Sequence, residues 1–258
     1  MLTTKMFVLF LGFLFTGMLL FIHAGRRIAA WQHTHRPGTI RGSTAAVDGS
    51  VLGLMGLLLA FTFSGAGTRY DARRKLVAEE ANRIGTAYLR LDLLPPEAQP
   101  QLREDFRRYV RSRLAVYEKI PDAEAVRGEL RKSGEIQNEI WKQVVSATQQ
   151  SGSPAVMILV LSPVNEMIDV TTTRTVAAET HPPPVIFIML GVTVLACSLL
   201  ASYSMSVAGR PSLIHIIVFV LLAGIAVYVT LDFEYPRVGL IRIDPVDKVF
   251  TETLERMQ

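Results

Sequence analysis

Four predominantly apolar stretches of the chain contain no Lys, Arg, Asp or Glu: residues 6–25, 49–68, 180–209 and 211–231. Each reaches the ~20 residues needed to cross a hydrocarbon core ~30 Å thick at 1.5 Å per residue, so each predicts a membrane-spanning helix. Between the second and third stretches, the pattern changes to apolar residues at helical spacing among charges. Leu76, Ala81, Ile84, Ala87, Tyr88 and Leu91 carry the second helix out of the membrane until Leu94-Pro95-Pro96 stops it. A helix over about 97–118 places Leu102, Phe106, Tyr109, Val110 and Leu114 on one face. The next, with Pro121 and Gly128 punctuating its start, runs through Ile136, Ile140, Trp141 and Val145 to Ser151-Gly152. A last polar-region helix covers 154–178, with a kink site at Pro163. Its apolar start, 155–161, is too short to span a bilayer. No alternating strand pattern and no internal repeat interrupts these helices.

The pattern predicts an all-α, polytopic membrane protein with a helical polar domain between the second and third spans. The expected divisions are 1–68 (spans one and two), 69–181 (polar domain), 182–231 (a hairpin of spans three and four) and 232–258 (a tail with a short terminal helix). Ala208-Gly209-Arg210-Pro211 is short enough to force the hairpin antiparallel. Trp31, His33, His35, Pro37 and Gly38 read as a loop after a first helix over 6–24. That first span is longer than a signal-peptide core and ends on Arg26-Arg27, which predicts a retained anchor.

Composition changes this picture little. The chain has 258 residues, of which 50% are hydrophobic and 19% charged, and its mean hydropathy is +0.31, as expected if much of it lies in lipid. The net charge of +4 comes from arginines flanking the spans. They do not interleave with stacking aromatics, so a nucleic-acid partner is not expected. The single cysteine, Cys197, excludes an intrachain disulfide and reads as a small packing residue. On the side of the termini lie Lys5, Arg69, Arg73, Arg74, Lys75, Arg83, Arg174, Arg237, Arg242 and Lys248; opposite lie Arg26, Arg27, Arg36, Arg41 and Arg210. This bias predicts a multi-pass protein of the cell (inner) membrane with its termini and residues 69–181 in the cytoplasm.

Several local motifs resemble one family. The glycine-rich stretch 50–66 passes directly into Thr68-Arg69-Tyr70, which resembles the second helix of bestrophins. Asn165-Glu166-Met167-Ile168-Asp169, followed by Arg174 and Pro182-Pro183-Pro184, is a second match. Phe233-Glu234-Tyr235-Pro236-Arg237-Val238-Gly239 with Asp244-Pro245 resembles the acidic region after the last bestrophin helix. With Glu79-Glu80-Ala81-Asn82, these motifs run in order from Val47 to the C-terminus and resemble the bestrophin-like membrane family. The resemblance implies an oligomer, pentameric in bestrophins, that conducts anions such as chloride through a pore lined by the second helix. The chain departs from bestrophins at Tyr70-Asp71, where they have two bulky aromatics, and at Ser64-Gly65-Ala66-Gly67, where their helix is bulkier.

The candidate site follows from helical geometry. Gly53, Leu57 and Phe61 are spaced by four and form one stripe on the second helix, suited to line a symmetric axis. The resemblance places Phe61 on a bestrophin neck phenylalanine. Ordinary packing explains the same residues, although small residues at this density predict a helix packed in protein rather than lipid. Arg69, Arg73, Arg74 and Lys75 form either an anion vestibule or a cluster facing anionic lipid headgroups. Glu79, Glu80, Glu166 and Asp169 are placed to pair with arginines between polar helices, and Asp48 reads as a wet interfacial residue. His215 is a candidate for a hydrogen bond to a neighbouring helix. His33-Thr34-His35 lacks the ligands of a metal site, and Asp232 with Glu234 cannot alone satisfy calcium. No cofactor, metal or catalytic constellation is expected. Two functions remain: an oligomeric ion channel, or a non-conducting membrane scaffold or sensor.

Overall fold

The computed structural model describes residues 4–35, 44–120, 122–209, 212–237 and 239–257. In chain order the helices are α1 (Thr4–His35), α2 (Thr44–Leu89), a 3₁₀ turn (Arg90–Leu93), α3 (Gln99–Glu118), α4 (Ala123–Ser151), α5 (Pro154–Glu179), α6 (Pro184–Val207), α7 (Leu213–Glu234) and α8 (Asp244–Glu255). The described residues contain no strand, and the fold is all-α. Four helices are long and apolar enough to cross a membrane: α1, α2, α7 and, within the stretch Pro154–Val207, α6.

The chain divides into two compact units. One comprises residues 2–68 and 181–238, the other 69–180 and 239–258. The tail is thus shared between them, and α2 passes from the first unit into the second.

The apolar unit has a core of Leu14, Met18 and Ile22 from α1, Leu190 and Val194 from α6, and Ile216, Val220, Ala223, Val227 and Leu231 from α7. Close approach needs small residues. A Cβ on Gly25 would lie 2.5 Å from the carbonyl oxygen of Leu199, so α1 meets the backbone of α6 there. Ser202 Oγ donates to the Ile22 carbonyl at 2.8 Å across the same contact. At Gly224 of α7, the space a Cβ would need is taken by the ring of Phe15. The outer surface remains apolar: Phe13, Ile188, Ile214 and Leu222 are all exposed. Lipid is the solvent that makes such a surface stable.

The polar unit packs around Ile84, Tyr88, Leu91, Phe106, Tyr109, Val110, Ile140, Val144, Val164, Met167 and Phe250. Local signals set its helix ends. Asp122 accepts hydrogen bonds from the amides of Glu124 and Ala125 at 3.0 and 3.1 Å and caps α4. Gly152 takes φ 65°, the left-handed conformation that ends α4, and Pro154 opens α5 at once.

Four expectations shift. First, α1 continues to His35 rather than ending at residue 24, because the absence of charge marks the hydrocarbon span, while helical hydrogen bonding continues beyond it. Second, Gly128 lies inside α4, where an isolated glycine costs only about 1 kcal/mol relative to Ala. Third, α7 extends to Glu234, so Asp232 and Glu234 belong to the helix and are fully buried. Fourth, Asp48 lies within α2 and is hydrogen-bonded by Ser204. Pro163 lies inside α5 as expected. Arg36, Pro37, Gly38, Arg41, Arg210, Pro211 and Val238 lie outside the described residues.

Candidate functional site

The membrane half of α2 has two contrasting sides. Met55, Leu58 and Leu59 pack against the core of the apolar unit. Cys197 Sγ lies 3.8 Å from the Val51 carbonyl, and Cys197 is fully buried, as a packing residue would be. The ring of Phe63 meets that of Phe233 edge-on, with centroids 5.4 Å apart. At about 100° per residue, Val51, Met55, Leu58, Leu59 and Thr62 fall roughly 140–240° around the helix from Gly53. Gly53, Leu57 and Phe61 fall on the other side.

That other side is open. Leu57 is 52% exposed and Phe61 67% exposed, and nothing lies within 4 Å of where a Cβ on Gly53 would sit. From Ala46 to Gly65 no residue of α2 is buried; Ala66 is the first. The small residues predicted to pack this helix in protein therefore find no cover on this side among the described residues.

The basic run that follows does not act as one group. Arg73 is buried, and its Nε and Nη2 donate to the carbonyls of Ala177 and Thr180 at 3.1 and 2.9 Å, at the C-terminal end of α5. A guanidinium there satisfies terminal carbonyls and complements the helix dipole. Arg74 is exposed, 3.9 Å from Asp71 and 5.6 Å above the Tyr70 ring. Lys75 is exposed and Arg69 half-buried.

The strongest electrostatic feature lies deeper in the polar unit. Glu80 is fully buried and accepts from Arg113 Nε and Nη2 at 2.5 and 3.1 Å and from Arg174 Nη1 at 2.6 Å. Arg174 also stacks over the Tyr117 ring, 4.5 Å from its centroid. Burial alone would raise the pKa of Glu80, but the charges and hydrogen bonds of the two guanidiniums outweigh it and hold the carboxyl below its ordinary value. Desolvation works against the charge of Arg113; Tyr117, Glu80 and Tyr109 more than offset it, and its pKa is raised. The Tyr109 hydroxyl is pushed up by burial and by the Glu80 charge. It sits 2.8 Å from Thr171 Oγ1 and accepts from Gln137 Nε2 at 2.9 Å.

Glu80 was legible as an acidic residue placed for pairing. Arg113 was missed, although a signal existed: it follows Tyr109 and Val110 by four and three residues, on the face that buries them. Elsewhere, Arg83 pairs with Glu166 and, at 3.4 Å, with Glu79, while Asp169 accepts from Asn165 at 2.8 Å. His215 contacts Ser212 Oγ at its own helix start, 2.8 Å away, rather than a neighbouring helix. His35 stacks on Trp31 at 5.1 Å. His181 Nδ1 lies 2.8 Å from Glu234 Oε1, and its ring stacks on Tyr235. Among the described residues, no three His, Cys, Asp or Glu side chains are grouped to hold a metal.

These elements define a class: a multi-pass helical membrane protein whose second apolar helix runs on into a polar helical unit. The model of the Bestrophin-like domain matches residues 12–247, and the chain belongs to that family. Among solved structures it is similar to a bacterial bestrophin homologue from Klebsiella pneumoniae, with TM-score 0.70 and 15% identity over 94% of this chain and 97% of that one. A single-substitution variant of the homologue gives TM-score 0.71 and 15% identity over 95% and 98% of the two chains. Another structure, described as a membrane protein carrying one substitution, gives 0.71 and 14% over 94% and 97%. At these identities the likeness is one of fold. No curated protein matches the chain.

Proposed function

We propose that the chain is one subunit of an oligomeric anion channel of the cell inner membrane, with α2 of each copy lining a shared axis. The observation that carries this reading is the open face of α2. A helix whose glycine-rich membrane half has nothing buried before Ala66 is suited to packing against other copies of itself. Gly53, Leu57 and Phe61 would then form successive rings, and the apolar ring of Phe61 would set the barrier by dewetting. Permeation of this kind discriminates weakly among anions. Arg74 and Lys75, exposed about 20 Å further along the helix, would raise the local anion concentration. Arg69 lies at the start of the same run, and Arg73 serves α5 instead.

A pentamer is the assembly that family membership favours, with the termini and polar unit in the cytoplasm. The mass of the detergent-extracted protein and chloride flux into liposomes test the proposal together. The expected result is a mass of about five chains and a flux above that of empty vesicles. A monomer or simple dimer without flux would instead favour a scaffold or sensor that does not conduct.

A further inference from the structure

Helices α3, α4 and α5 enclose a cleft of about 220 Å³ in the polar unit, lined in part by Arg113, Ser133, Gln137, Thr171, Thr172 and Thr175. Its mouth is exposed at Thr172, whereas Arg113, Ser133 and Gln137 are buried. No carboxylate is among the lining residues.

The donors in this wall are unevenly used. Gln137 Nε2 donates to Tyr109 Oη and, at 3.1 Å, to Thr171 Oγ1. Ser133 Oγ shares one hydrogen bond of 2.7 Å with Ser112 Oγ. Arg113 is 2% exposed; its Nε and Nη2 are held by Glu80, but Nη1 is buried with no hydrogen-bond partner among the described residues. Glu80 cannot supply more, because its Oε2 is also taken by Arg174. A buried cationic N–H without an acceptor is costly, and the acceptor that best relieves it is an anion.

We propose that this cleft binds a small oxyanion, a carboxylate or phosphate group, with Arg113 as its charged donor and the Ser133 and Thr172 hydroxyls completing the site. Donors spread over three helices suit a group with several acceptor oxygens better than a single spherical halide, and a guanidinium matches that geometry. An occupant would brace α3, α4 and α5 against one another, giving the polar unit a ligand-sensitive element distinct from α2. The inference does not depend on conduction.

Binding is measured on the full-length protein in detergent, with inorganic phosphate and acetate as probes, titrated against sodium chloride at equal ionic strength. Saturable heat and a raised Tm with either probe, beyond the chloride control, are expected. Because Thr172 is exposed, a substitution there should leave the fold intact. Thr172→Glu sets a like charge at the mouth and should weaken binding at least about tenfold, whereas Thr173→Glu, at an exposed neighbour that is not among the lining residues, should bind much as the parent does. The proposal is overturned if neither probe binds saturably, or if Thr172→Glu binds as tightly as the parent.

Discussion

Glu80 shows what one residue does in the polar unit. It holds two guanidiniums, from α3 and α5, against the stem of α2, with no water-facing surface of its own. Removing one partner from a buried pair leaves the other charged and unsolvated, so Glu80→Gln should cost about 3–5 kcal/mol. The midpoint of denaturant unfolding in detergent measures it, and a parent-like midpoint would show that the cluster contributes nothing. The same residue implies an acid-sensitive term. Its folded pKa lies below the ordinary 4.5, so its stabilisation is complete above that value and disappears as the pH falls through the folded pKa. The parent should therefore lose stability below about pH 4.5 more steeply than Glu80→Gln does. Of this cluster, Glu80 and Arg174 were legible in advance and Arg113 was not. Acidic residues stand out on a polar helix, but an arginine at an apolar position of α3 reads as a break in the pattern until its carboxylate partner, distant in the sequence, is known.

At the scale of elements, helix existence and order were legible throughout, because charge-free stretches and Pro-Gly punctuation are strong signals. Helix ends and contacts were less so. Nothing local shows that α1 runs to His35, nor that Gly25 and Gly85 differ in role. Gly25 lies against the α6 backbone, whereas nothing sits within 4 Å of a Cβ built on Gly85. Gly25→Ala must push two backbones apart and should destabilise by about 1–3 kcal/mol. Gly85→Ala gains helix propensity on α2 and should stabilise by up to about 1 kcal/mol. Thermal unfolding of both variants in one detergent checks the pair. Equal shifts of the same sign would refute the close approach of α1 and α6. The glycines of α2 raise the opposite problem: the sequence marks them as contact residues, but among the described residues nothing lies within 4 Å of a Cβ built on Gly49, Gly53, Gly56 or Gly67.

For the whole molecule, four crossings would put both termini on one side, and the Lys/Arg bias makes the cytoplasm the side we propose. In a variant lacking Cys197, a cysteine at Ala208, in the exposed turn after α6, should react with an impermeant reagent on intact cells, and one at Glu97 should not. The reverse pattern would invert the topology. The central claim is that α2 faces an axis shared by several copies. Phe61 and Phe63 separate that claim from ordinary packing, because they share α2 but not a direction: Phe61 lies on the open face, and Phe63 rests against Phe233. Chloride flux through liposomes, with the assembly checked by mass, is the most direct measurement. Phe61→Ala should assemble as the parent does and conduct more, whereas Phe63→Ala should chiefly lower stability or assembly. Fully assembled Phe61→Ala with the same flux as an equally assembled, conducting parent would contradict a neck at Phe61.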